Sequence, residues 1–125
     1  MRKINKTILL ILFFGLSIWS LDKPCFAQSE INKEEEAIFV AQKAIGDGFY
    51  DLAEELLARF LKDYPQSTKI PEAHLLIAQS LYYKNRYLEA LKELNQLLAS
   101  PDAANLKDAV YYWLAEVHLK GRNFP

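Results

Sequence analysis

From residue 37 onward, apolar side chains recur at three- and four-residue spacing in blocks that short polar, glycine or proline breaks divide. Ala37, Val40, Ala41 and Ala44 mark one face up to Gly46, and Ala53, Leu56, Leu57, Phe60 and Leu61 mark a second across residues 50–63. Leu75, Leu76, Ile77, Ala78, Leu81 and Tyr82 form a third block, and Leu88, Ala90, Leu91, Leu94, Leu97 and Leu98 a fourth across residues 87–99. That periodicity predicts amphipathic helices. The third block is apolar around most of its circumference, as expected of a helix packed between two neighbours. A fifth helix is predicted over residues 106–120, with Tyr111, Trp113 and Leu114 on its apolar side.

The breaks carry their own chemistry. Asn32 followed three residues later by Glu35 fits a helix start with a capping box, which puts Glu34, Glu35 and Glu36 in the first turn, where the helix dipole favours acidic residues. Gly46-Asp47-Gly48 ends that helix because glycine accepts the left-handed conformation at a helix terminus. Tyr64-Pro65 ends the second, Pro71 suits the first turn of the third, and Tyr83-Lys84-Asn85-Arg86 turns the third into the fourth. Residues 66–70 and 100–105 read as linkers. Connections this short make successive helices antiparallel neighbours.

The blocks are copies of one another. Aligning Ala90 with Ala53 sets Tyr87 over Tyr50, Leu94 over Leu57, Leu97 over Phe60 and Ala78 over Ala41, an offset of 90 − 53 = 37 residues. The same offset carries Ile77, Ala78, Leu81 and Tyr87 onto Leu114, Ala115, His118 and Phe124. Self-similarity at such a period marks a stacked repeat array. The expected fold is therefore all-α, a solenoid of antiparallel helical hairpins with two complete repeats and the first helix of a third. Ala53 and Ala90 stand where two helices approach closely. The apolar side of the last helix is left half covered, which reads as the front of a longer array, or as a face for self-association.

Residues 1–27 have a different character. Arg2, Lys3 and Lys6 precede an apolar run over residues 8–21, and Cys25-Phe26-Ala27 places small residues before Gln28. This is the three-part layout of a secretory signal peptide, and a run of 14 residues falls short of the roughly 20 that span a bilayer. The expected domains are a signal peptide, 1–27, and a helical repeat domain, 28–125, with no stable membrane anchor after cleavage. Asp22, Lys23 and Pro24 before Cys25 do not suit lipid attachment, and cleavage removes the one cysteine. It also removes four basic residues and one acidic one, leaving 15 − 4 = 11 basic against 16 − 1 = 15 acidic, a charge of about −4. Such a surface has no reason to gather on nucleic acid.

The repeated pattern resembles the tetratricopeptide repeat family. The family's small residue in the first helix, aromatic at the turn, small residue early in the second helix and following proline match Ala41, Tyr50, Ala53 and Pro65, then Ala78, Tyr87, Ala90 and Pro101. The third unit shows only Trp113-Leu114-Ala115 and Phe124. Asp63-Tyr64-Pro65-Gln66-Ser67, leading into Pro71-Glu72-Ala73-His74, is similar to the exported repeat proteins of the Tol-Pal system and to the repeat lipoprotein of outer-membrane β-barrel assembly. The resemblance implies a periplasmic scaffold in cell-envelope assembly or maintenance that binds a protein or peptide. The alternative is a substrate-presenting module at the front of a longer envelope enzyme, such as one acting on peptidoglycan.

Little in the chain points to chemistry of its own. His74 and His118 lack metal-ligand spacing; His74 reads as a surface residue and His118 as packing. No glycine-rich phosphate loop follows a strand. The expectation is a protein without catalytic, metal or cofactor residues. By analogy with the family, the concave groove would be lined by Ile38, Gln42, Leu75, Gln79, Tyr82, Tyr112 and Glu116. Ile38, Leu75 and Tyr112 would form an exposed apolar stripe beside Gln42, Gln79 and Glu116, a track suited to a peptide or helix.

Overall fold

The structure, a computed structural model, describes residues 25–121, with side chains from residue 32. The signal peptide expected over residues 1–27 lies outside the described residues but for its last three, which are backbone of the first helix. The chain divides into Met1–Glu30 and Ile31–Pro125, and the packing below is that of the second unit. Among the described residues the fold is all-α: α1 (Cys25–Gly46), α2 (Tyr50–Asp63), α3 (Ile70–Tyr83), α4 (Tyr87–Ala99), a 3₁₀ segment (Pro101–Leu106) and α5 (Lys107–Gly121). None of these helices is long and apolar enough to cross a membrane.

The two hairpin turns are the same structure written twice. After α1 the Gly48 N–H donates to the Ile45 carbonyl at 3.0 Å and the Phe49 N–H to Ala44 at 2.8 Å. After α3, 37 residues on, the Asn85 N–H donates to Tyr82 at 3.0 Å and the Arg86 N–H to Leu81 at 2.8 Å. This pair of bonds is the Schellman arrangement, which satisfies otherwise orphaned carbonyls and needs a left-handed residue. Gly48 supplies it with φ 84° and Asn85 with φ 61°. Asn85 is held there by a hydrogen bond from the Tyr87 hydroxyl to its Oδ1 at 2.7 Å.

Two apolar clusters hold the helices together. Ile38, Ala41, Ala44 and Ile45 of α1 pack with Ala53, Leu57 and Phe60 of α2 and with Ala73 and Leu76 of α3. Leu75, Ala78, Leu81 and Tyr82 of α3 pack with Ala90, Leu94 and Leu97 of α4, with Ala103, and with Val110 and Val117 of α5. Ile77 touches both clusters, so α3 lies between its neighbours, as its apolar circumference predicts. Ala53 and Ala90 are each 0 % exposed, the small side chains that the close approach of paired helices requires. Ser80, the buried polar residue of α3, donates its hydroxyl to the Leu76 carbonyl at 3.1 Å and so satisfies itself within the helix.

Three local expectations need correction. α1 already runs through residues 25–31, so Asn32 is no N-cap and Glu34, Glu35 and Glu36 sit mid-helix, away from the favourable dipole end. Glu34 accepts a hydrogen bond from the Ser67 hydroxyl in the linker between α2 and α3, while Ser67 Oγ accepts from the Lys69 N–H at 3.1 Å. Residues 101–106 are a 3₁₀ helix and not an open linker, because Ala103 is buried in the second cluster and Pro101 fits a first helical position. His118 is exposed and does no packing, because nothing among the described residues covers its side of α5.

Candidate functional site

Stacking of α1, α3 and α5 decides which of the expected groove residues a ligand can reach. Ile38 is 4 % exposed and Leu75 6 %, and Tyr82 is buried with them. Ile38 sits under α2 and Leu75 under α4, so the expected exposed stripe of Ile38, Leu75 and Tyr112 does not form. Tyr112 alone of the three faces solvent, at 59 %. The polar half of the track remains accessible: Gln42 is exposed, and Gln79 and Glu116 are half-buried.

Tyr82 holds one of these three residues. Its hydroxyl donates to Glu116 Oε2 at 3.0 Å, joining α3 to α5. Burial first, and the Glu116 carboxylate second, push the Tyr82 phenol up to about 12. Around it runs an aromatic cluster that the sequence shows only as scattered rings. Tyr50 stacks on Tyr83 at 5.2 Å, and Trp113 meets Tyr82, Tyr83 and Tyr112 edge-on at 5.3, 5.8 and 5.4 Å. Offset and edge-on geometries are the favourable ones for ring quadrupoles. The cluster therefore fastens α2, α3 and α5 to one another.

A charged group secures the turn end of the same hairpins. Lys84 Nζ lies 2.5 Å from Asp51 Oδ1 and 3.1 Å from Glu54 Oε1, and Arg86 bridges Glu54 and Glu89. Hydrogen bonding to Lys84, then its charge, holds the Asp51 carboxyl below the usual carboxylate range, and Arg86 does the same for Glu89. Lys84 and Glu54 are half-buried and the other partners exposed, so the group orients the α3–α4 turn against α2 more than it stabilises it.

At the opposite end, an open cleft of about 600 Å³ lies among the α2–α3 linker, α3 and the end of α4. His74 Nδ1 is 3.0 Å from Glu93 Oε2 on its wall, with Ser67, Gln96 and Asp102 nearby and Pro71 and Leu97 forming apolar floor. The pair links α3 to α4, so the sequence expectation of a surface His74 misses a partner 19 residues away. Among the described residues no group of three or more His, Cys, Asp or Glu side chains is placed to hold a metal ion.

Several exposed apolar side chains share α5. Tyr111, Tyr112 and Leu119 are 58–61 % exposed, and Ala115 lies between them on the same helix face. No family model, curated protein or solved structure matches the chain.

Proposed function

We propose that the protein is an exported, tetratricopeptide-type α-solenoid that serves as a protein-interaction scaffold in the bacterial envelope. The observation that carries this reading is the repetition of the turn, in which Gly48 and Asn85 take the same left-handed role with the same pair of hydrogen bonds 37 residues apart. Two hairpins of one geometry stacked on each other set equivalent side chains of α1, α3 and α5 in a row. Gln42, Gln79 and Glu116 are that row, reachable by solvent and able to pair with the backbone of an extended or helical ligand. Ile38, Leu75 and Tyr82 belong to the floor beneath it, and Tyr112 to the free face of α5.

Gln79→Arg tests this reading, since it adds bulk and charge at the middle of the row without touching the core. Cross-linking in the envelope fraction should give a defined partner with the unmodified chain and lose it with the variant. The reading fails if the partner is retained or if cross-linking finds only cytoplasmic proteins. Export itself is tested by N-terminal sequencing of the protein from a Gram-negative host, which should give a start at or near Gln28 with no lipid attached.

A further inference from the structure

The open cleft among the α2–α3 linker, α3 and the end of α4 takes no part in the Gln42, Gln79 and Glu116 row. At about 600 Å³ it is within the size range of sites that hold small ligands. Its charged groups come from three elements, His74 from α3, Glu93 from α4 and Asp102 from the 3₁₀ segment. Among the described residues no lysine or arginine lines it. Lys69, in the same linker, has its Nζ 3.2 Å from Glu72 and stays off the wall.

The hydrogen bonds already made decide what the wall still offers. Ser67 is spent, since its hydroxyl donates to Glu34 and accepts from the Lys69 N–H. Glu93 Oε2 lies 3.0 Å from His74 Nδ1, and a carboxylate only accepts, so Nδ1 carries the hydrogen between them. A neutral His74 then keeps Nε2 as an acceptor. Glu93 Oε1 and the exposed Asp102 carboxylate add acceptors from the other two elements. The ionisable groups of the cleft therefore call for a donor that carries positive charge. Pro71 and Leu97, both buried, give that donor an apolar floor.

From this complementarity we infer that the cleft takes an arginine side chain from a segment of a partner protein, its guanidinium held among Glu93, Asp102 and His74 and its aliphatic stem laid on Pro71 and Leu97. Acceptors on three elements suit a planar group with five N–H donors better than an ammonium, whose three donors share one atom. An arginine stem covers apolar surface while its head stays with the polar wall. The cleft has room for more than one side chain, and Thr68 and Gln96, exposed among its lining residues, can pair with the backbone flanking the arginine. None of this depends on the repeat-scaffold reading.

Acetyl-Ala-Arg-Ala-amide is the probe, with citrulline or lysine replacing its arginine as the neutral and ammonium counterparts. The chain has two histidines, and His118 does not line the cleft. In NMR titrations of the full chain, the arginine peptide should move the His74 ring resonances saturably and leave those of His118 in place. The citrulline peptide should bind about tenfold or more weaker, and the lysine peptide about threefold weaker. Glu93→Gln, which keeps an acceptor for His74, should weaken the arginine peptide about tenfold, and Asp102→Asn, at an exposed position that leaves folding intact, about threefold or more. Gln79→Arg should leave the titration unchanged, so loss of the envelope partner and loss of the cleft are separate results. The inference is overturned if no His74 shift saturates, if the citrulline or lysine peptide binds as well as the arginine one, or if both carboxylate variants bind it unchanged. It is also overturned if agmatine binds more tightly than the peptide, since a free small molecule would then be the occupant.

Discussion

α3 and α5 align with each other at the 37-residue spacing, yet among the described residues one is buried on both sides and the other on one. Leu75 and Tyr112 are equivalent by sequence spacing and differ tenfold in exposure, 6 % against 59 %. The helices themselves are alike, with Ala78 matching Ala115 and Ile77 matching Leu114. What differs, among the described residues, is whether a second helix lies on top. A periodic pattern states which side of a helix prefers to be covered, and the neighbours decide whether it is.

That contrast can be broken most sharply at the stripe itself. Leu75→Glu should unfold the protein or cost on the order of 4 kcal/mol, because a carboxylate would be forced under α4, whereas Tyr112→Glu should stay within about 0.5 kcal/mol. Urea denaturation midpoints measure both, and similar losses would show that α5 is covered after all. Ala78→Leu should overpack the seam between α3 and α4 by about 1–3 kcal/mol, while Ala115→Leu should cost almost nothing. The second hairpin offers the same test within one helix, with Ala90→Leu destabilising by a similar amount and the exposed Glu89→Leu close to neutral.

The two turns sharpen the comparison at smaller scale. Gly48→Ala and Asn85→Ala should each lose about 1–2 kcal/mol, since alanine at positive φ brings its Cβ against the backbone, and Asn85→Gly should recover most of the loss. If Asn85→Ala were neutral, the two turns would not be equivalent in solution.

The smallest effect is visible only in alkali. Tyr82 is protonated up to about 12 in the folded chain and ionises near 10 when unfolded. The folded state therefore holds the proton more tightly, so this stabilisation is complete below pH 10 and is lost as pH rises from about 10 to 12. Melting temperatures of Tyr82→Phe should fall less steeply across that window than those of the unmodified chain. Parallel curves would place the Tyr82 phenol outside the contact with Glu116.

Much of this architecture is legible in the order of residues. Tyr50–Asp63 and Tyr87–Ala99 have the limits that periodicity and their flanking turns predict, because Gly48, Pro65 and Pro101 act locally through backbone dihedrals. Ala53 and Ala90 could be singled out because a small side chain held in register has few other uses. The left-handed Asn85 is less conspicuous, although asparagine is the residue that substitutes for glycine in such a cap. The start of α1 is misplaced because Asn32 and Glu35 satisfy the rule for a cap while the helix continues through them.

The candidate site divides along the same line. Gln42, Gln79 and Glu116 can be set at equivalent positions from their 37-residue spacing alone, and all three keep some exposure. The depth of Leu75, the Trp113 ring cluster, the bond from Tyr82 to Glu116 and the pairing of His74 with Glu93 depend on segments well separated in the chain meeting in space, His74 and Glu93 being 19 residues apart and Tyr82 and Glu116 34. A one-dimensional pattern carries local preference, which is a property of a few neighbouring residues. Burial is a property of what arrives from elsewhere in the chain, and only the stacked helices decide that Leu75 is core while Tyr112 waits in solvent.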